Sequence, residues 1–509
     1  MSLLNTLLYL VLPAAALIYL FVRRKLSYWA DRNVPHAPGS FPMGSLQGMG
    51  TKYHMSHILE RIYQQFKNES PAVGFYLTMK PTLMVTDLEL VKQVLVKDFN
   101  SFRDRGVYYN EKDDPVSAHL FAIDGEKWRF LRNKLSPTFT SGKIKYMFNT
   151  MQEIGDEFVE CFGRYEEREE AVDVKTLCGW FTCDVIGSCA FGLNCNSLKN
   201  EESELITIAN RLFKPSPIDA MWQFFFMSFR DLSAKLRLLI LPRDIAKYFM
   251  TLIPETVTYR EQNNVTRPDF LQLLIELKNK GTVDGAEQES SGETLTMNQV
   301  VAQSFVFMLG GFETTSTALT FALFELANNP EIQEKVRVEV SSVLTRHDGK
   351  ITYDALKEMT YLEQVVNETL RMYPPVPFVA RNSNHSYHIT NPDVTLDADT
   401  MVLVPVYAIH YDPDIYQNPT RFDPDRFTPE AIQARHTHAF LPFGDGPRNC
   451  IGLRFALLEV KFGIAVLLNK FRFSTSAKMI LPLELDISAP MMAAKGGVWL
   501  DVNKINSKE

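Results

Sequence analysis

The chain has 509 residues, 46% hydrophobic and 22% charged, which is ordinary globular usage in a length that suits one large fold or two to three smaller domains. A net charge of −7 is too weakly acidic to point to nucleic acid as a partner, and 35 phenylalanines are enough to line a large apolar interior or pocket.

The first segment, LLNTLLYLVLPAAALIYLFV from Leu3 to Val22, is followed by Arg23, Arg24 and Lys25. About 20 apolar residues match the thickness of a bilayer. Positive charge behind the apolar run, and none ahead of it, predicts an uncleaved anchor over residues 1–25 with the bulk of the chain cytoplasmic. Pro35, Pro38 and Pro42 make residues 26–50 a stiff, non-helical linker. Residues 51–509 read as one large, mainly helical domain with minor sheet.

Within that domain, Val73–Val85 reads as a hairpin turning at Lys80-Pro81, and Leu88–Phe99 has a helical period. Trp128 and Arg132 stand four apart on a helix that begins near Asp124 and ends before Pro137. The stretches Met221–Met227 and Leu236–Leu241 are dense in apolar residues. They suit either core or a surface that meets lipid or lines an entrance. Lys278–Glu293 is a polar solvent loop, and Val402–Val406 a second short strand.

A long helix is expected from Met297 to about Asn329, with Thr296 and Gln299 as a capping box. In its middle, Gly310-Gly311 weakens the helix, and a threonine bonding back to the preceding turn predicts a local opening that holds water. Glu313 and Thr314 place a carboxylate and a hydroxyl beside it; a packing notch is the alternative. Glu368 and Arg371, three apart, share a helix face and can lock bidentately.

Five of the six cysteines, from Cys161 to Cys195, form no CxxC pair and read as buried thiols in a reducing compartment. Cys450 stands alone in FGDGPRNC, ahead of a nearly all-apolar helix. A helix N-terminus and nearby Arg448 favour thiolate over thiol, and Gly444, Gly446 and Gly452 let backbone approach the sulfur. Such a thiolate is a catalytic nucleophile or a metal ligand. A lone cysteine excludes tetrahedral zinc and iron–sulfur clusters, which need several, and a single thiolate points to haem iron.

Phe443, Gly446, Arg448, Cys450 and Gly452 match, position for position, the F-x-x-G-x-R-x-C-x-G haem-binding loop, so the chain resembles the cytochrome P450 family. The resemblance implies the cytochrome P450 fold, mainly α with minor β, preceded by a single N-terminal transmembrane helix. It implies haem b, iron-protoporphyrin IX, with Cys450 as axial ligand and metal site. Trp128, Arg132, Arg381 and Arg448 would hold the haem with Phe443, Gly446 and Gly452. Glu313 and Thr314 would deliver protons. Glu368, Arg371 and Arg426 would form a buried structural network, in which Asp425 stands where the family commonly has Glu. His119, Phe121, Phe213, Phe305, Phe312, Val376, Phe378 and Met491 would line the substrate pocket.

The stretch DGEKWRFLRNKLSPTFTSGK, Asp124 to Lys143, narrows the resemblance to insect microsomal members that metabolise xenobiotics. The implied activity is monooxygenation of lipophilic substrates such as insecticides or plant toxins. Alternatives are endogenous lipid or hormone metabolism by the same chemistry, a reductase-independent haem-thiolate isomerase, a haem-based gas sensor, and a membrane-anchored scaffold. No Gly-rich nucleotide loop follows a predicted strand, so electrons from NADPH would arrive through a separate NADPH-cytochrome P450 reductase, with cytochrome b5 as a further donor. Lys127, Arg129, Lys134, Lys143 and Lys145 would steer such an acidic partner. Further partners implied are dioxygen, a lipophilic small molecule and membrane lipid, at the endoplasmic reticulum with the catalytic domain on the cytoplasmic side.

Overall fold

The computed structural model describes residues 3–200, 203–213, 216–284 and 292–505. Its axis is the helix Met297–Asn328, buried along most of its length from Val300 to Ala327. The capping box forms as the sequence predicts: Gln299 N–H donates to Thr296 Oγ1 at 3.2 Å, and Thr296 N–H to Gln299 Oε1 at 2.9 Å. Asn329 caps the far end, and Pro330 opens the next helix, Pro330–Arg346. Among the described residues this is the one helix that passes a test of length and hydropathy for crossing a membrane, but its burial makes it a core helix.

Around it pack the helices Val174–Ile186, Arg243–Asn263, Thr360–Met372 and Leu453–Leu468. The helix Val174–Ile186 comes close at Gly311, where a Cβ would lie 2.3 Å from Ile186 Cδ1 and the isoleucine would have to shift. Cys161, Cys178, Cys183 and Cys189 are buried in this region, as expected, whereas Cys195, the fifth of the group, is only half-buried.

A smaller sheet holds the strands β1 (Ala72–Leu77), β2 (Lys80–Val85), β3 (Val379–Asn382) and β4 (Met401–Val404) in the order β1-β2-β4-β3. Its own apolar core forms around Val73, Phe75, Leu83 and Leu403. The β1–β2 hairpin turns at Thr78-Met79 rather than Lys80-Pro81, with Thr78 at φ 60°. Pro81 is tolerated because the parallel ladder from β2 to β4 begins only at Thr82. The strand predicted to reach Val406 stops at Val404, where Pro405 precedes a short helix, Val406–His410. Leu88–Phe99 is helical, but over Gln93–Lys97 the turn widens to π spacing.

The proline-rich segment lies against the sheet. Gly74 N–H donates to Pro35 O at 2.8 Å, Ala37 N–H to Gly74 O at 2.9 Å, and fully buried Trp29 donates through Nε1 to Phe75 O at 3.1 Å. Ahead of it runs the helix Leu3–Leu26, exposing Leu12, Leu17, Ile18 and Leu20. Residues 1–2 of the predicted anchor, 285–291 of the predicted solvent loop and the last four residues of the domain lie outside the described residues, as do the side chains of Phe224 and Met227. Where the sequence left core and surface open, Met221, Trp222 and Leu236 are exposed, while Phe225, Phe226 and residues 238–241 are half-buried; nearby Ile218 is exposed as well.

Candidate active site

The loop before Leu453–Leu468 is tied by its own backbone. Cys450 N–H donates to Phe443 O at 2.9 Å, Gly444 N–H to Leu441 O at 3.0 Å and Asn449 N–H to Gly446 O at 3.1 Å. Gly446 sits at φ +73°, where a Cβ would stand 1.9 Å from Leu95 O, so no other residue fits. Gly452 is under no such constraint: its nearest neighbour would be Phe139 at 3.8 Å.

Cys450 retains the accessible surface of an exposed residue, yet the surrounding protein desolvates its thiol. The sulfur therefore opens onto a recess rather than bulk solvent. Burial raises its pKa; the Gly452 N–H and the Arg132 and Arg105 guanidiniums pull the other way, and burial wins. A metal bound at this sulfur would deprotonate it outright.

Arg105, Arg132, Arg381 and Arg448 act on this region together. Arg381 is 1% exposed, with Nη1 on Ala380 O at 2.9 Å and with Nε and Nη2 buried without partners among the described residues. Burial and the like charge of Arg448 push it down to about 9. Arg105 is held well below its usual value by burial, then by Arg381 and Arg448. Arg448, pushed down to about 10 chiefly by burial, donates to Arg103 O at 2.8 Å and Ile123 O at 2.5 Å, and its guanidinium lies 4.9 Å from the Trp128 ring centre. Asp104 and Asp124 approach it at 3.5 and 3.7 Å. Arg132 donates to Asn449 O at 2.9 Å and to its Oδ1 at 2.7 Å.

Arg132 and Arg448 thus brace the loop, while buried Arg381 and half-buried Arg105 carry charge with no carboxylate paired to them among the described residues. Buried cations need anionic partners. The two propionates of a haem supply them, and the residues present fit that group. Sequence reasoning missed Arg105. It sits in an irregular loop, donates to Phe121 O and Arg448 O, both at 3.2 Å, and stacks 4.2 Å from the Phe121 ring. No motif marks it, and only the folded contacts identify it.

The long helix runs unbroken through Gly310–Thr315, so the predicted local opening is not a break. The Thr314 hydroxyl bonds back to Gly310 O, as expected, which keeps the turn closed. A Cβ on Gly310 would meet nothing within 4 Å, leaving open space beside this turn. Glu313 Oε1 turns to Lys175 Nζ at 2.9 Å.

The predicted pocket residues differ in exposure. Phe305 and Phe312 are buried, in ring pairs with His119 at 5.8 Å and Phe213 at 5.9 Å. Phe121 and Val376 are exposed, and Phe378 and Met491 half-buried. His119 is pushed down to about 3 by burial and then by Arg105, so its ring is neutral. Glu368 and Arg371 are fully buried and bidentate at 2.7 and 2.8 Å; Arg426 Nε adds a contact to Glu368 Oε1 at 3.4 Å, and Asp423 N–H donates to the same oxygen at 3.0 Å. The predicted basic patch is laced with acids: Lys127 bonds Glu111, Lys145 meets Asp354 at 2.6 Å and Arg129 meets Glu126 at 3.4 Å, while Lys134 bonds Gly281 O at 2.6 Å.

Residues 38–495 match the family profile described as Cytochrome P450. The chain is 42% identical over 506 residues to cytochrome P450 6A1 of Musca domestica, covering 99% of this chain and 98% of that protein. It is 42% identical over 490 residues to probable cytochrome P450 6a14 of Drosophila melanogaster, covering 94% and 96%. Cytochrome P450 6a9 of the same fly is 40% identical over 506 residues, covering 99% and 100%.

Proposed function

The chain belongs to the cytochrome P450 family and is a haem-thiolate monooxygenase; from that premise we propose that Cys450 is the haem ligand and that lipophilic foreign compounds are the substrates. The observation that carries the assignment is one recessed sulfur in a region where buried Arg381 has no counter-charge among the described residues. Haem held there by a thiolate supplies reductive activation of dioxygen.

The chain's own residues do the rest. Arg381 and Arg105 take the propionates, while Arg448, Arg132 and Trp128 keep the loop and its neighbouring helix in register. Glu313 and Thr314 hold and pass protons from the long helix. Phe121, Val376, Phe378 and Met491 offer apolar and thioether surface that binds a lipophilic guest and excludes water. The likeness to insect relatives such as cytochrome P450 6A1 of Musca domestica supports a xenobiotic role, and endogenous lipids would use the same walls.

Electrons come from a separate NADPH-cytochrome P450 reductase, with cytochrome b5 as an auxiliary donor. Lys143, near the N-terminus of the helix Ser141–Glu166, and the edge of Gly125–Leu135 offer the docking cations. Leu3–Leu26, ending in Arg23, Arg24 and Lys25, anchors the enzyme in the endoplasmic reticulum membrane. Exposed Ile218, Met221 and Trp222 add a second lipid contact.

A spectral binding screen of lipophilic compounds on the ferric enzyme, followed by turnover of the hits with NADPH and reductase, tests the reading. Oxygenated products that require both are expected. Conversion of a peroxide substrate without reductase, and of nothing else, would overturn it. Cys450→Ser abolishes the thiolate-type carbon monoxide band; an unchanged band would remove Cys450 from the iron.

A further inference from the structure

Glu313 is not alone on the outer side of the long helix. Lys175, in the first turn of the helix Val174–Ile186, reaches across with Nζ 2.9 Å from Glu313 Oε1, 2.9 Å from Ser316 Oγ and 3.1 Å from Thr317 Oγ1. An ammonium has three protons to donate, and all three have acceptors here. Two of those acceptors are buried hydroxyls fixed in the same helix: Ser316 Oγ also bonds Glu313 O at 3.1 Å. Lys175 is itself anchored from below. Asp173 caps its helix by accepting from Lys175 N–H at 3.3 Å and from the Thr176 hydroxyl at 2.6 Å.

The Lys175 side chain is 28% exposed and the Glu313 side chain 13%. The ion pair therefore spans from the protein's outside to the carboxylate of the acid–alcohol pair. Thr314 points its hydroxyl proton at Gly310 O. Of the two groups, the carboxylate is the one linked toward solvent.

We propose that Lys175 is a positioning residue for monooxygenation: it holds the Glu313 carboxylate in one rotamer at the solvent end of the proton route and fixes how far that carboxylate swings inward. The inference rests on the reading of Glu313 as the proton-delivering acid. Lys175 keeps its own proton; the proton that moves is carried by Glu313 and is replaced from water at the exposed end. Three acceptors on one ammonium make the clamp stiffer than a surface pair, which ordinarily holds little. Removing the clamp frees the carboxylate to wander without removing the acid.

The test compares Lys175→Met, Lys175→Arg, Glu313→Gln and the Lys175→Met/Glu313→Gln pair in the haem-loaded, full-length enzyme. Two readouts are taken: product formed per NADPH consumed, with its solvent deuterium isotope effect, and the thermal unfolding midpoint. Lys175→Met is expected to lower product per NADPH several-fold and enlarge the isotope effect, with substrate-binding spectra unchanged. Lys175→Arg recovers most of the loss. The midpoint losses of the two single variants are expected not to add in the double variant, because both break the same contact. Normal coupling in Glu313→Gln removes the relay reading and this inference with it. An impaired Glu313→Gln beside a Lys175→Met that couples like the parent, or strictly additive midpoints, overturns the inference alone.

Discussion

Glu325 lies on the long helix, 4% exposed, with Oε1 accepting from Tyr373 Oη at 2.5 Å and Oε2 from Asn329 Nδ2 at 3.2 Å. Burial, and then the like charge of Glu368, raise its pKa from 4.5 to about 7, although Tyr373 and Asn329 pull the other way. The folded protein thus keeps a proton that the unfolded chain releases above pH 4.5. Stability from this group is present in full below pH 4.5 and falls as pH rises to about 7, then levels off. At about 1.36 kcal/mol for each unit of pKa, the loss is roughly 3.4 kcal/mol. Glu325→Gln mimics the protonated acid and cannot ionise. It should match the parent near pH 4.5 and exceed it by about 3 kcal/mol above pH 8. For 509 residues the unfolding entropy is about 1.1 kcal/mol/K, so the gain is roughly 3 °C in unfolding midpoint. Calorimetric scans of parent and variant across pH 4.5–8.5 measure the difference, which cancels other titrating groups such as buried, unpartnered Glu459. A difference that does not change with pH, or one that shrinks as pH rises, refutes the reasoning.

Other expectations concern the site. Arg381→Met removes a buried cation that only a bound anion would satisfy; the purified variant should carry less haem, and transfer of its haem to apomyoglobin should be at least tenfold faster. Gly446→Ala places a methyl group 1.9 Å from Leu95 O at a positive φ, so the carbon monoxide band should be largely lost, while Gly452→Ala, with no neighbour closer than 3.8 Å, should keep most of it. Glu368→Gln breaks a fully buried pair and leaves Arg371 uncompensated, at a cost of about 3–5 kcal/mol; the checks are expression as folded, haem-containing protein and the urea midpoint.

The chemistry was legible from short stretches of sequence because it depends on residue types at fixed local spacing. A cysteine two residues ahead of a helix-capping glycine, a glutamate and arginine one turn apart, and a capping box at Thr296 are set by backbone geometry within a few residues. The same locality carried the family resemblance. The errors arose where local signals compete. Lys80-Pro81 looked like a turn because proline favours turns, but antiparallel pairing with Leu77 and Tyr76 of β1 drew both residues into a strand. Gly310-Gly311 looked like an opening, but the helix runs unbroken through both, with Ile186 of the helix Val174–Ile186 packed against Gly311.

Charge was decided only by the fold. The sequence supplies many arginines and says nothing of which are paired. The tertiary structure engages Arg132 and Arg448 with backbone and Asn449, strands Arg381, brings in Arg105 from an unmarked loop, and joins Glu313 to a lysine 138 residues earlier in the chain. It also sets opposing influences on the thiol: the Gly452 N–H and the Arg132 and Arg105 guanidiniums favour the anion, while burial works against it. Motifs follow from bonds between near neighbours along the chain. Desolvation and long-range ion pairing depend on everything packed around a group, and no local pattern records that.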